Sequence, residues 1–193
     1  MLAVGVVAVQ GDFAEHIALL KQLRVTVREV RLPKDLEGLD ALIIPGGEST
    51  TLRHLFDLYE LAEPITALAG SGVPVWGTCA GMIMMASQLT DHRPEPLGLM
   101  DVTVSRNAYG RQVDSFHAEL HFPKLGKEPF HAVFIRAPAA VRVGADVEVL
   151  GALSDGTPVA LRQDNLLVTS FHPELTKDTR FHQYFLSFLE PSP

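Results

Sequence analysis

Val73-Pro74-Val75-Trp76-Gly77-Thr78-Cys79-Ala80-Gly81-Met82 passes from an apolar, strand-like run through small residues into a second apolar run. Its centre is Gly-x-Cys-x-Gly, the cysteine form of a nucleophile elbow, where a sharp strand-to-helix turn holds the central residue in a strained backbone conformation. Gly77 and Gly81 omit the side chains that would collide across so tight a turn. The spacing therefore predicts a strand ending near Thr78, Cys79 exposed over its carboxyl end, and a helix just beyond. A thiol over a helix N-terminus is favoured as thiolate, the reactive form. A lone cysteine packed among apolar residues is the ordinary alternative. This stretch alone does not choose between them.

Upstream, residues 2–9 form a continuous valine-rich run, as suits a strand buried on both faces. Gln10-Gly11-Asp12 ends it, with Asp12 as a candidate helix N-cap. Residues 13–23 carry Ile17, Leu19, Leu20 and Leu23 at amphipathic-helix spacing. Residues 25–30 alternate like a strand nearer a sheet edge, and residues 39–44 form another buried strand. Helices are expected at 51–59 and 63–69. This alternation predicts a mainly parallel sheet with helices on both faces. Such sheets carry their sites at the carboxyl ends of strands. Three loops fall there: those after Val9, after Ile44 and after Trp76. The second, Pro45-Gly46-Gly47-Glu48-Ser49-Thr50-Thr51, reads as a plain turn or as a loop presenting backbone N–H groups to negative charge.

Downstream of Ala86 the pattern changes. A polar, two-proline loop at 91–96 precedes strand-like pieces at 101–104, 115–122, 130–135 and 147–153. Between the first two lies Ser105-Arg106-Asn107-Ala108-Tyr109-Gly110-Arg111-Gln112. Its arginines suit carboxylate recognition, and a solvated surface loop fits the same composition. Phe134-Ile135-Arg136-Ala137-Pro138 raises the same pair of readings for Arg136. Residues 157–162 and 166–170 read as a hairpin around Asp164-Asn165, and an amphipathic helix at 180–189 closes the chain.

The 193 residues, 47% hydrophobic and 20% charged, predict one soluble globular domain, residues 1–193. A net charge of −7 without a Lys/Arg cluster argues against nucleic acid as a partner. Residues 1–9 lack a basic leader, and no apolar run approaches the ~20 residues of a membrane helix. One cysteine cannot form an intramolecular disulfide, so a cytoplasmic location is expected.

His172 and Glu174 stand two residues apart at the end of the strand at 166–170. In extended chain they share one side, roughly 7 Å apart between α-carbons, and Pro173 fixes one dihedral between them. A carboxylate so placed accepts a hydrogen bond from one imidazole nitrogen and leaves the other as a base for Cys79. That is the logic of a nucleophile–histidine–acid triad on an α/β frame.

Gly77-Thr78-Cys79-Ala80-Gly81 with His172-Pro173-Glu174 resembles the class I, triad-type glutamine amidotransferases. Gln10-Gly11 with Glu15-His16, the loop from Pro45 to Thr50, the Arg106 loop and Phe134-Ile135-Arg136-Ala137-Pro138 narrow the likeness. Together they resemble the glutaminase subunits of pyridoxal 5′-phosphate synthase, across residues 4–185. The resemblance implies a three-layer, flavodoxin-like α/β fold, with antiparallel strands added in the second half. It implies that Cys79 attacks the side-chain amide of glutamine, that His172 serves as base and then acid, and that Glu174 holds the His172 tautomer. Backbone N–H groups of Gly47 and Ala80 would bind the oxyanion. Gly47, Glu48, Ser49, Arg106, Ile135 and Arg136 would contact glutamine, with Arg106 near the α-carboxylate and Glu48 near the α-ammonium.

No metal or other cofactor is implied. The implied partner is a (β/α)8-barrel synthase subunit in a large hetero-oligomer, which takes the ammonia to build pyridoxal 5′-phosphate. Such glutaminases are nearly silent until the synthase docks, and Gln10 would sense docking. Met82, Met84, Met85 and Met100 suit either an ammonia path or, more ordinarily, the core. Three other readings stand beside this one. Another class I amidotransferase pathway fits the triad equally. A cysteine hydrolase or chaperone of the related elbow type usually places His directly after the nucleophile, where this chain has Ala80. A non-catalytic scaffold would not be expected to retain all of Cys79, His172 and Glu174.

Overall fold

A computed structural model describes residues 2–106, 108 and 115–189. The first apolar run becomes β1 (Ala3–Val7), buried along nearly its whole length. It is followed by α1 (Phe13–Gln22) and the half-exposed strand β2 (Thr26–Val30). β3 (Ala41–Ile44) leads through the Pro-Gly-Gly loop into α2 (Ser49–Leu58), with α3 (Ala62–Gly70) beyond it. β4 (Val75–Thr78) turns at Cys79 into the short helix α4 (Ala80–Met85). β5 (Ala86–Leu89), β6 (Met100–Ser105), β7 (Ser115–Leu120), β8 (Phe130–Ile135), β9 (Ala139–Val143) and β10 (Glu148–Ala152) follow. β11 (Pro158–Gln163), β12 (Leu166–Thr169) and α5 (Arg180–Leu186) complete the described elements.

The main sheet has the order β10-β11-β12-β4-β3-β1-β2. β12, β4, β3, β1 and β2 run parallel, and β11 and β10 extend one edge antiparallel. This is the α/β architecture with a mainly parallel sheet that the alternation of apolar runs predicts. β2 is the edge strand, in keeping with its alternating sequence. The period-2 geometry of each strand divides its side chains between two cores. Val7, Leu42, Ile44, Val75 and Val168 pack with Leu52, Phe56 and Ile65 from α2 and α3 and with the methionines of α4. Val4, Val6, Ile43, Trp76 and Leu167 face Leu20 of α1 and Phe181 and Phe185 of α5. Helices therefore cover both faces. Met82, Met84, Met85 and Met100 are fully buried in the first core.

Two small sheets lie outside the main one: β5-β6-β9, and the β7–β8 hairpin. β5 and β9 were not foreseen. β5 reads Ala-Ser-Gln-Leu directly after a helix, and its partner β6 lies beyond a long polar loop. Neither its length nor its periodicity marks it. The hairpin around Asp164 is as expected, with β11 and β12 antiparallel and Asp164 at φ 51°. α2 begins at Ser49 and α5 ends at Leu186, with a 3-10 turn at Ser187–Leu189 continuing it. Among the described residues no helix is long and apolar enough to cross a membrane. Asn107, Tyr109, Gly110, Arg111 and Gln112 of the polar loop lie outside the described residues.

Candidate active site

Four adjacent parallel strands, β12, β4, β3 and β1, end side by side, and the segments that leave them meet. At β4 the elbow forms because its glycines allow it. Cys79 sits at φ 48° and ψ −103°, outside the regions an L-residue favours. A β-carbon on Gly81 would lie 2.0 Å from the Ile44 carbonyl oxygen, and one on Gly77 would lie 2.5 Å from Gly81 backbone. Any larger residue would force α4 away from the sheet. Two backbone bonds fix the turn: Cys79 N–H donates to Thr169 O at 2.8 Å, and Ile83 N–H to Cys79 O at 3.2 Å. Cys79 is 6% exposed, and its thiol reaches the Ile135 carbonyl at 3.8 Å.

His172 follows β12 and is tied to β8 through Val133 O at 2.8 Å. Its Nδ1 lies 2.7 Å from Glu174 Oε1. The His172–Glu174 relation is not the extended strand expected from two-residue spacing. Pro173 opens a 3-10 turn, Pro173–Leu175, and that turn brings the carboxylate back onto the ring. Burial disfavours the His172 cation. Hydrogen bonds with Asp12, Cys79 and Glu174, with the charge at Cys79, outweigh it and push its pKa up to about 12. Glu174 is almost fully buried, which pushes its carboxyl up, while its bond to His172 opposes that. The described residues thus bring Cys79, His172 and Glu174 into one constellation, with an imidazole held to favour its cation.

Asp12 departs from its expected role. It occupies the N-cap position of α1, but its side chain makes no capping bond. Its Oδ2 lies 3.4 Å from His172 Nδ1, as a second carboxylate beside the ring. The loops after β1 and β3 touch here, since Asp12 N–H donates to Gly46 O at 3.1 Å. The imidazole lies close against Gly46 of the Pro-Gly-Gly loop, where a β-carbon would come within 2.5 Å of His172 Cε1. Asp12, His172 and Glu174 also offer ligand-type atoms within 4.8 Å of one another. A cation there would compete with the hydrogen bond that holds the imidazole.

A cavity of about 500 Å³ opens beside Cys79 and His172. It is lined by Gln10, Gly47, Glu48, Ser49, Arg106, Ile135 and Arg136 among others, so every expected glutamine contact borders it. Glu48 is partly engaged elsewhere. Its Oε2 caps α2 by accepting from Thr51 N–H at 2.8 Å and from the Thr50 and Thr51 hydroxyls. Burial opposes its charge, but these bonds lower its pKa to about 2. Arg106 donates from Nε and Nη2 to Asp91 Oδ2 at 2.8 and 2.6 Å, and Nη1 reaches Ser49 Oγ at 3.5 Å. Gln10 Oε1 accepts from Glu48 N–H at 3.1 Å, and a β-carbon on Gly47 would strike the Gln10 amide. Gln10 thus braces the loop that carries Gly47. Ala80 opens α4, where first-turn N–H groups have no intrahelical acceptor.

Asp12 and Asp91 were missed as site residues. Each meets its basic partner across long sequence separation, and neither has a local pattern. His16 was quoted only within a motif, yet it is fully buried beside Glu174. Its place on the inward stripe with Leu19 and Leu20 was the available signal.

A family model described as the SNO glutamine amidotransferase family matches residues 6–190. A protein of Herpetosiphon aurantiacus is 55% identical over 188 residues, 96% of this chain and 99% of the relative. One of Chloroflexus aurantiacus is 52% identical over 188 residues, again 96% and 99%. Both are named pyridoxal 5′-phosphate synthase subunit PdxT. A solved structure described as a crystal structure of glutamine amidotransferase matches with a TM-score of 0.90 at 47% identity, covering 96% of this chain and 98% of that one.

Proposed function

We infer that the chain supplies ammonia by hydrolysing glutamine: it belongs to the SNO glutamine amidotransferase family and is the glutaminase subunit of a pyridoxal 5′-phosphate synthase. The observation that carries the residue-level reading is the strained Cys79 at φ 48° in the same cavity as a His172 held at 2.7 Å by Glu174. Cys79 sulfur attacks the side-chain amide carbon of L-glutamine, after His172 takes the thiol proton. The tetrahedral oxyanion rests on the backbone N–H groups of Gly47 and Ala80, and losing one such donor typically costs ~10²–10³ in rate. The carbon–nitrogen bond then breaks, and the imidazolium gives its proton to the leaving nitrogen, which departs as ammonia. Water attacks the γ-glutamyl thioester with His172 as base, and L-glutamate leaves. Glu174 holds His172 with its proton on Nδ1 and balances the imidazolium charge.

Arg106 meets the glutamine α-carboxylate through the edge not held by Asp91, and Ser49, Ile135 and Arg136 complete the pocket. Glu48 faces the α-ammonium with Oε1, since Oε2 is committed to the helix cap. The chain acts as one glutamine amidotransferase domain, residues 1–193, in the cytoplasm. Its partner is a (β/α)8-barrel synthase subunit in a large hetero-oligomer. Gln10 reports docking to the loop it braces.

The test is ammonia release from L-glutamine by the chain alone and then with the synthase subunit, with Cys79→Ala as blank. Activation by the synthase that is absent in Cys79→Ala is the expected result. High activity indifferent to the synthase would reassign the pathway, and no activity despite binding would overturn the catalytic reading.

A further inference from the structure

Behind the triad lies a second buried pair that the mechanism does not use. His16 of α1 and His182 of α5 are both 0% exposed. His16 Nδ1 lies 3.0 Å from His182 Nε2. On its other side, His16 Nε2 lies 3.3 Å from Thr78 Oγ1 and 3.4 Å from Glu174 Oε2. That oxygen is the half of the Glu174 carboxylate that His172 leaves free; it is buried and accepts no hydrogen bond, so the His16 ring nitrogen at 3.4 Å faces an unsatisfied charge. His182 Nδ1 also has none.

The proton positions follow from satisfaction. An orphaned buried N–H is rarer than an under-used acceptor, so His182 leaves Nδ1 bare and carries its proton on Nε2. That proton goes to His16 Nδ1, which must then accept. His16 is left with its one proton on Nε2, facing Thr78 and Glu174. Burial, then the neighbouring His182 and His172, push the His16 pKa well below its usual value, and burial lowers that of His182 to about 3. Both rings are therefore neutral, and the pair is a one-directional donor chain aimed at the triad acid.

We propose that His16 is a positioning residue for glutamine hydrolysis: with its tautomer set by His182 and its Nε2–H anchored at Thr78, it turns the positive end of that bond toward the unsatisfied Glu174 oxygen, so that Glu174 stays ionised and oriented toward His172. The inference rests on the glutaminase reading above. Glu174 is faced by His172 and, through it, Cys79; by Asp12 and His16 at the start of α1; and by His182 behind His16 from α5. Asp12 adds negative charge and pushes the Glu174 carboxyl up, as does burial. The hydrogen bond and charge of His172 and the Glu174 backbone N–H favour its ionised form, and His16 presents an N–H to its other oxygen. Removing the His16 donor leaves less to hold the carboxylate ionised, so the activity that needs it is lost at a higher pH on the acid side.

The test uses the complex with the synthase subunit and follows ammonia release against pH. His16→Phe keeps a buried ring without the donor. It should lower kcat roughly tenfold, as loss of the one N–H dipole facing a buried carboxylate oxygen would. It should also move the acid limb of kcat/KM up by about one pH unit, with the glutamine KM nearly unchanged. His16→Gln, whose amide nitrogen reaches the Nε2 position, should restore most of both. Imidazole ¹⁵N NMR of the unsubstituted chain should find both histidines protonated at Nε2. This readout stands even where a variant folds poorly. His16 protonated at Nδ1, or an acid limb unmoved in a folded His16→Phe with an active wild type, would overturn this inference alone. A wild-type complex that releases no ammonia would overturn the glutaminase reading and this inference with it.

Discussion

Replacing Arg106 by Gln interrogates the substrate end of the cavity. The guanidinium is half-buried and forked: Nε and Nη2 are held by Asp91 Oδ2 at 2.8 and 2.6 Å, which turns the Nη1 edge toward Ser49 and the cavity. A glutamine α-carboxylate paired with that edge makes a charge-assisted bond worth about 1.5–3 kcal/mol, or roughly ten- to a hundredfold in affinity. The contact is distant from the reacting amide and serves ground and transition states alike, so Arg106→Gln should raise KM by that factor and leave kcat within about threefold. The substitution does further harm. Burial opposes the Asp91 charge, but Arg106 holds that carboxyl below its usual range. Without Arg106, the Asp91 carboxylate loses its side-chain partner just behind the pocket wall and repels the substrate α-carboxylate. Asp91→Asn alone should raise KM a fewfold, because Arg106 loses its anchor. The double substitution should bind glutamine better than Arg106→Gln alone, because the stranded charge is gone. Steady-state ammonia release in the synthase complex, with calorimetric glutamine binding to the Cys79→Ala background, measures all three. A KM within twofold of wild type in Arg106→Gln, or multiplicative losses in the double variant, would refute the reasoning.

Glu48→Ala removes the cap of α2 and should cost about 1 kcal/mol, a fall of ~2–4 °C in Tm at neutral pH. The folded pKa of Glu48, about 2, lies below its ordinary 4.5, so the cap is fully present above 4.5 and is lost as pH falls through about 2. The Tm gap between wild type and variant should therefore close on acidification, as scanning calorimetry from pH 6 to pH 2 would show. Cys79→Gly relieves the φ of 48° and should be about 1 kcal/mol more stable than Cys79→Ala in urea melts, with both inactive. Gly81→Ala drives a β-carbon to 2.0 Å from the Ile44 carbonyl and should cost about 1–3 kcal/mol in the same melts. Gly70→Ala, with nothing within 4 Å, should not destabilise.

The first half of the fold was legible because its strands are buried on both faces. Runs such as Ala41–Ile44 are apolar throughout and end at glycine and proline, so composition alone marks them. β5 and β9 escaped for the opposite reason. They are four- and five-residue strands whose stability comes from β6, and no apolar period announces them. The site divides along the same line. Cys79 between Gly77 and Gly81, and His172 two residues before Glu174, are local patterns with local causes. Asp12, His16 and His182 act across the chain, and Asp91 meets Arg106 15 residues on, beyond any local spacing rule. His16 and His182 are 166 residues apart, and their pairing exists only because α1 and α5, which follow β1 and β12, pack on the same face of the sheet. A histidine on an apolar helix stripe reads as core until the fold supplies the carboxylate beside it. Even the His172–Glu174 bond comes from a 3-10 turn at Pro173 rather than from strand alternation.

Backbone strain separates the working residues from the scaffold. Arg24 and Glu60 take positive φ just after α1 and α2, His92 does so in the turn after β5, and Asp164 in the tight β11–β12 turn, places where chain reversal explains it. Cys79 at φ 48° and Arg136 at φ 41° have no such excuse. Neither is glycine, and both border the cavity that His172 also lines. Residues held this way cost of order 1–3 kcal/mol each and persist only where surrounding contacts over-determine them. Here Gly77 and Gly81 close the elbow on Cys79, and the Ile135 carbonyl lies 3.8 Å from the Cys79 sulfur, so the two strained residues hold one another's segments. If strain is what aims the thiol and the Ile135-Arg136 backbone into the pocket, Arg136→Gly should raise Tm while raising the glutamine KM. If Arg136 is merely tolerated there, Tm should rise and KM should stay. The two outcomes separate a strained substrate contact from an incidental one in a single folded variant.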